Sequence, residues 1–179
     1  TDDRSPSGNA ASSGTVPTAS TSGNPLSTIL PAAENWGLSF QEEGKVPTGN
    51  ASFDELQQYH AYYAQKTDKK VIYLTFDCGY ENGVTSQILD VLKEEKVPAA
   101  FFVTMPYLKS APETAARMIK EGHTVGNHSD THPNFSKISR TQMAKEIESV
   151  DNYLRETFGY SAPFFRFPEG ACSESALEF

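Results

Sequence analysis

Two of the chain's four histidines, His128 and His132, lie close together in a segment with no amphipathic pattern that would account for them. The residues before them are typical of a turn and a short strand, and Pro133 disfavours helical dihedrals at His132. Neutral imidazole is a common ligand of zinc and related divalent ions. The pair alone is a weak motif, because two histidines at this spacing also occur by chance on solvated surfaces. A metal site here therefore requires further polar groups that converge on the same place.

Two more polar clusters follow predicted strands. Asp77, Cys78 and Gly79 come directly after residues 71–76, a run rich in β-branched and aromatic residues, and Arg166 begins the third cluster. Strands are predicted over residues 71–76, 99–103, a short segment ending at 127–128, and 164–167, and helices over 52–66, 85–96, 112–121 and 139–158.

This alternation of strands and helices is typical of βαβ units and a parallel sheet, so the predicted fold class is α/β. In parallel sheets and barrels, functional sites collect at the carboxyl ends of the strands. All three polar clusters stand at predicted carboxyl ends. We therefore expect Asp77, the two histidines and Arg166 to form one site around a divalent metal.

The composition narrows the classes of function. The chain has 179 residues, of which 37% are hydrophobic, and this length suits one domain with a real core. The formal net charge of −8, with no cluster of Lys or Arg, argues against nucleic acid as a partner and favours a neutral or sugar-like substrate. No apolar run approaches the roughly 20 residues needed to span a bilayer.

Residues 1–30 are predicted to form a disordered linker, because Ser, Thr, Gly, Ala, Pro and Asn dominate the first 25 residues, which contain no aromatic residue. Such a linker is typical of a protein that has lost a signal peptide or anchor, so we expect an extracytoplasmic location. The globular domain is predicted over residues 31–179. Trp36, the only tryptophan, is expected to anchor the N-terminal segment on that domain.

Three segments resemble the first three motifs of the polysaccharide deacetylase family, carbohydrate esterase family four. They are TFDCG at residues 75–79, HSDTHP at residues 128–133 and RFPEG at residues 166–170. The longer sequence TFDCGYENG, at residues 75–83, resembles the branch that deacetylates N-acetylmuramic acid in spore-cortex peptidoglycan before muramic δ-lactam formation. The resemblance implies a distorted (β/α) barrel that holds one divalent metal and hydrolyses the N-acetyl group of an amino sugar.

The resemblance also assigns roles. It implies that Asp77 is the general base, that His128 and His132 bind the metal, that Arg166 holds the base, and that the backbone N–H of Glu169 donates to the oxyanion. Zinc is the expected metal, with cobalt or manganese as alternatives.

The remaining expectations concern the substrate. Peptidoglycan glycan strands are the implied partner, no nucleic acid is expected, and the protein is expected to be a monomer. Four further residues of the motifs are expected to contact the substrate: Tyr80, Asn82, Pro168 and Gly170.

The chain departs from the family's pattern at Cys78, where the first motif usually has a second, metal-binding aspartate. Cys78 is then either a bystander or a thiolate ligand, and a thiolate would favour zinc. A disulfide with Cys172, the only other cysteine, is a further alternative in an exported protein.

The family's fourth and fifth motifs, which supply the general acid, have no counterpart in this sequence. We therefore expect the N-terminal part of a barrel, with about four strands, and little activity from this part alone.

Two other functions are compatible with the sequence. A non-catalytic glycan-binding protein of the cell wall could keep the fold, although the presence of Asp77, His128, His132 and Arg166 argues against this. A deacetylase of chitin-like oligosaccharides or xylan is the other alternative, and residues 79–83 favour the muramic acid substrate over it.

Overall fold

Three short parallel strands form the sheet, in the order β1 (Thr75–Cys78), β2 (Ala100–Val103) and β3 (Thr124–Asn127). The computed structural model describes residues 36–179. The predicted linker over residues 1–30 lies outside this range, so the linker and the domain boundary after it stay predictions.

The strand register aligns the carboxyl ends of the sheet. Cys78 pairs with Val103, and Val103 pairs in turn with Asn127, which places the segments after all three strands at one edge. This is the arrangement that brings polar residues following parallel strands together.

The first strand differs from its prediction over residues 71–76. The strand covers Thr75–Cys78, and the apolar residues before it are largely solvent-exposed, with Ile72 83% and Tyr73 63% accessible. The pairing with β2 decides these bounds, because β2 begins only at Ala100.

The predicted fourth strand over residues 164–167 is also wrong in extent. Only Phe165 pairs with β3, through a single parallel bridge to Asn127. Pro163 and Pro168 flank this segment and cannot donate ladder hydrogen bonds, which restricts a strand here. Pro168 instead begins a short 3-10 turn over Pro168–Gly170.

Six α-helices lie in the described residues: α1 (Phe53–Gln57), α2 (Thr85–Glu94), α3 (Met105–Ser110), α4 (Pro112–Lys120), α5 (Arg140–Phe158) and α6 (Glu174–Leu177). The prediction of α5 is confirmed. Ser139 and Gln142 form the expected capping box, and Gly159 ends the helix in the left-handed conformation with φ 63°.

Two helices differ from the sequence prediction. The helix expected over residues 52–66 ends at Gln57, and His60 has a left-handed φ of 54° that cannot continue it. The short helix α3 was not predicted, because its six residues carry too little periodicity. Thr104 caps α3 by accepting a hydrogen bond from the N–H of Tyr107.

The core lies between the sheet and helices α2 to α5. Its fully buried members include Leu89, Phe101, Val103, Leu108, Met118, Val125, Val150 and Leu154. A smaller cluster of Phe135, Met143 and Ala176 packs beside Phe165 and Phe167. Between residues 36 and 179, no helix is both long and apolar enough to cross a bilayer.

Trp36 anchors the N-terminal segment, as predicted. Its ring lies 5.6 Å from that of Tyr63, and its backbone N–H donates to the carbonyl of Gly170 at 3.3 Å. The segment before α1 therefore contacts the turn that follows Arg166.

Candidate active site

The two histidines that follow β3 face each other. Nε2 of His128 lies 3.2 Å from Nε2 of His132, and their rings are steeply inclined at 77°. Nδ1 of His128 lies 2.9 Å from the carbonyl oxygen of Arg166. Because a carbonyl only accepts, this contact assigns the proton to Nδ1 and leaves the lone pair of Nε2 free for a metal or a donor.

The spacing of these nitrogens fits one divalent ion. Two imidazole nitrogens bound at about 2.0–2.1 Å to one tetrahedral zinc ion lie roughly 3.3 Å apart. The 3.2 Å between the Nε2 atoms of His128 and His132 matches that separation. Within residues 36–179, no third His, Cys, Asp or Glu completes a metal-binding group with them.

The loop between the histidines has an unusual backbone. Ser129 and His132 both adopt left-handed conformations, with φ 73° and 58°. The N–H of His132 donates to Oγ of Ser129 at 3.0 Å, and the N–H of Ser129 donates to Oδ1 of Asn127 at 2.8 Å. These local bonds turn the chain back so that both rings point to the same place.

Asp77 and Arg166 form the second part of the site. Nη1 of Arg166 donates to Oδ1 of Asp77 at 2.7 Å, and the guanidinium lies 4.1 Å above the ring centre of Phe102. The Asp77 side chain is 47% accessible, so part of the carboxylate remains open to solvent. Arg166 therefore orients an accessible carboxylate, and the two residues do not form a buried ion pair.

Glu169 occupies the left-handed region, with φ 59° and ψ 8°, inside the turn Pro168–Gly170. Its carboxylate accepts a hydrogen bond from Nδ2 of Asn134 at 3.0 Å. The N–H groups of Gly170 and Ala171 close the turn, whereas the N–H of Glu169 has no acceptor in the described part of the chain. This N–H therefore remains a free hydrogen-bond donor among the described residues.

Cys78 points away from Asp77, because successive side chains of a strand alternate between faces. Its thiol lies in the core cluster, and burial raises the pKa of Cys78 to about 12. A thiolate at this position is therefore disfavoured, which supports the bystander interpretation. Cys78 and Cys172 are both free thiols, so the alternative disulfide is not formed.

The predicted substrate contacts have different environments. Tyr80 is 76% accessible, and Asn82 is also exposed, as a substrate contact requires. Pro168 is fully buried, so its side chain shapes the turn and cannot face a substrate as predicted. Gly170 lies against Trp36, whose Cβ is 3.4 Å from where a Gly170 side chain would begin.

The sequence did not reveal the residues that hold the turn after β1. Oγ1 of Thr104 donates to the carbonyl of Gly79 at 3.0 Å, and the hydroxyl of Tyr107 donates to Glu81 at 3.0 Å. The carboxylate of Glu81 also accepts from the N–H of Gly83 at 2.6 Å. The signal that could have found them was the Thr-x-Pro start of α3.

His123 lies at the opposite edge of the sheet. Its Nδ1 accepts from the N–H of Ala99, immediately before β2, and its ring packs against Phe101. It therefore takes no part in the site at the carboxyl ends of the strands.

Known proteins resemble this chain in sequence and in fold. The family model of polysaccharide deacetylases matches residues 64–179. The peptidoglycan-N-acetylmuramic acid deacetylase PdaA of Bacillus subtilis is 38% identical over 146 residues, which are 80% of this chain and 56% of that protein. Its solved structure superposes with a TM-score of 0.75, covering 81% of this chain and 63% of PdaA.

Two further proteins are similar. A family 4 carbohydrate esterase from Bacillus anthracis superposes with a TM-score of 0.70 at 42% identity, covering 81% of this chain and 66% of that structure. A chitooligosaccharide deacetylase of Bradyrhizobium is 34% identical over 116 residues, or 64% of this chain and 53% of that protein. The chain spans little more than half the length of these curated relatives.

Proposed function

Because the chain belongs to the polysaccharide deacetylase family, we propose that it takes part in metal-dependent removal of the N-acetyl group from N-acetylmuramic acid in peptidoglycan. The expected fold class is confirmed, since the solved structures that superpose on the chain are family 4 carbohydrate esterases. The muramic acid substrate is supported by the similarity to PdaA and by the sequence TFDCGYENG. That sequence also supports a role before δ-lactam formation in the spore cortex.

The observation that carries the proposal is the contact of Arg166 with both halves of the site. Its guanidinium donates to Asp77 at 2.7 Å, and its carbonyl accepts from His128 at 2.9 Å. A hydrolytic amidase needs a base beside the attacking water and an electrophilic centre beside the carbonyl. Arg166 orients both the proposed base and a histidine of the proposed metal site, and it therefore brings the two requirements together.

His128 and His132 would hold the metal through their Nε2 atoms. When bound, a divalent ion there polarises the amide carbonyl and lowers the pKa of a water molecule. Zinc is the expected ion because imidazole nitrogen suits it, and cobalt and manganese are alternatives.

The chain's own residues then have distinct tasks. Asp77 accepts a proton from the water as the new C–O bond forms, and Arg166 keeps its carboxylate aimed at that water. The N–H of Glu169 donates to the amide oxygen as negative charge develops on it, a type of interaction whose loss typically costs about 100-fold or more in rate. Asp77 returns the proton that it accepted to the leaving nitrogen, the C–N bond then breaks, and acetate and the amino sugar are the products.

Peptidoglycan lies outside the cytoplasmic membrane, so we propose that the protein acts there, as the similarity to PdaA supports. The proposed substrate is the glycan strand, and the protein is proposed to act as a monomer. A chitin-like oligosaccharide is the competing substrate, supported by the similarity to the chitooligosaccharide deacetylase.

The deciding experiment measures bound metal by elemental analysis in three forms of the protein. We expect zinc in the chain and in its Cys78→Ala variant, and none in the double variant His128→Ala/His132→Ala. Zinc lost with Cys78 would instead make the thiolate a ligand. No zinc in any form would contradict the metal-dependent function and favour a non-catalytic glycan-binding protein.

Product analysis then separates the substrates. Acetate released slowly from peptidoglycan, with a free amine on muramic acid, is the expected result, since little activity is expected from this part of the barrel alone. Faster release from chitin oligomers than from peptidoglycan would overturn the substrate assignment while leaving the deacetylase activity in place.

A further inference from the structure

Helix α5 holds the loop between the two histidines through hydrogen bonds. Oε2 of Glu146 accepts from the backbone N–H of Thr131 at 2.7 Å, and Oε1 accepts from the Thr131 hydroxyl at 2.6 Å. The backbone N–H of Asp130 donates to the carbonyl of Glu146 at 3.1 Å, and Ser149 donates to the Asp130 carboxylate at 2.8 Å. Glu146 thus fixes the residue that immediately precedes His132.

The loop needs such support because its backbone is strained. Left-handed conformations cost free energy in residues with a side chain, and Ser129 and His132 both adopt them. A loop of this kind keeps one conformation only where surrounding bonds hold it. Two short hydrogen bonds to a carboxylate are of the strong, charge-assisted type.

The two histidines depend on this support to different degrees. His128 is buried, its N–H bonds to the carbonyl of Val103, and its ring bonds to Arg166, so the sheet and the adjacent turn hold it. His132 is exposed, and among residues 36–179 its backbone N–H bonds to Ser129 alone, within the loop. Loosening Thr131 would therefore displace His132 and leave His128 in place.

We propose that Glu146 is a positioning residue that, through Thr131, holds His132 at the correct distance from His128 to bind a divalent cation. The inference rests on the proposed metal-dependent function. It gives helix α5 a role in the affinity of the site for a divalent cation, in addition to the roles of the two histidines and the motif residues.

The test is a calorimetric titration with Zn²⁺ of the wild-type chain and three variants. Glu146→Ala should bind zinc about tenfold more weakly, the scale on which residues that orient metal ligands act. Glu146→Gln should stay near wild-type affinity, because its amide can accept from the Thr131 N–H and donate to the hydroxyl. Glu148→Ala is the matched control, since it removes the same charge from an exposed position on the same helix.

A second measurement requires no metal. In the metal-free protein, Glu146→Ala should speed amide hydrogen exchange at Thr131 and His132 and leave the exchange of Phe101 and Val125, in paired strands of the core, unchanged. Faster exchange throughout the core would show general destabilisation and overturn the assignment.

The two measurements separate the failure of this inference from that of the proposed function. If the wild-type chain binds no zinc, the metal-dependent function fails, and hydrogen exchange still decides whether Glu146 orders the loop. If the wild-type chain binds zinc and Glu146→Ala binds it equally well, the inference is wrong. Zinc affinity that falls equally in Glu146→Ala, Glu146→Gln and Glu148→Ala would show a charge effect and also overturn it.

Discussion

The backbone carbonyl of Arg166 accepts a hydrogen bond from Nδ1 of His128 at 2.9 Å, and so it sets which nitrogen of that ring remains available to a metal. The side chain of the same residue donates to Asp77. A substitution at position 166 changes the second contact and keeps the first, because the carbonyl belongs to the main chain. The two functions of Arg166 can therefore be separated by experiment.

We expect Arg166→Lys to lower kcat/KM for deacetylation by about tenfold or more, because Lys lacks the planar guanidinium that contacts both Asp77 and the Phe102 ring. Zinc affinity should stay at the wild-type value, since the carbonyl that holds His128 is unaltered. Kinetics and zinc titration on the same preparation measure both quantities. A loss of zinc affinity equal to the loss of activity would contradict this separation.

Asp77→Asn should lower the rate of acetate release by about 100-fold or more, because an amide cannot accept the proton of the attacking water. The Asn side chain keeps an oxygen that can accept the hydrogen bond from Arg166, so the structure and the zinc affinity should be retained. The rate is measured at saturating substrate. A variant with undiminished kcat would exclude Asp77 as the base.

The parts of this site that follow strands could be predicted from the sequence, because parallel strands place their carboxyl ends together. Asp77 and His128 come at such ends or directly after them, Arg166 follows the bridge residue Phe165, and the three lie together as expected. Helix α5 was predictable for a local reason, since Ser139 and Gly159 mark its two ends in the sequence.

The other features of the fold and the site depend on tertiary contacts, which no periodic pattern in the sequence indicates. Glu146 bonds to Thr131, which lies 15 residues away in the sequence, and one polar residue within a helix gives no sign of such a partner. The fourth strand was predicted too long because the three phenylalanines within residues 164–167 favour a strand, whereas Pro163 and Pro168 on either side restrict it. The burial of Pro168 likewise depends on packing that the motif does not encode.

Gly126→Ala should destabilise the fold by about 1–3 kcal/mol, the range for forcing extra atoms into a packed core. A Cβ at this position would lie 2.5 Å from Cδ1 of Phe102 and 3.2 Å from the carbonyl oxygen of Phe164. Chemical denaturation gives the free energy of unfolding. Gly37→Ala is the control, because no described atom beyond its chain neighbours lies within 4 Å of its new Cβ, and its stability should match that of the wild type.

His123 should make the stability of the fold depend on pH. Burial, the largest effect, lowers the pKa of His123 in the folded protein; Arg117 lowers it further, and Glu121 opposes this. The folded chain therefore binds this proton less strongly than the unfolded chain. The contribution of the neutral ring is fully present above the unfolded pKa of about 6.5 and is lost as the pH falls through the lower folded pKa.

The variant His123→Asn isolates this effect. Its Oδ1 can still accept the hydrogen bond that the N–H of Ala99 now donates to Nδ1 at 3.2 Å, but it does not titrate. We expect the free energy of unfolding of the wild type to fall more steeply than that of the variant between about pH 6.5 and pH 5. Denaturation curves at several pH values measure both slopes, and His128, whose pKa burial also lowers, is present in both proteins. Parallel slopes would show that His123 keeps an ordinary pKa in the folded protein.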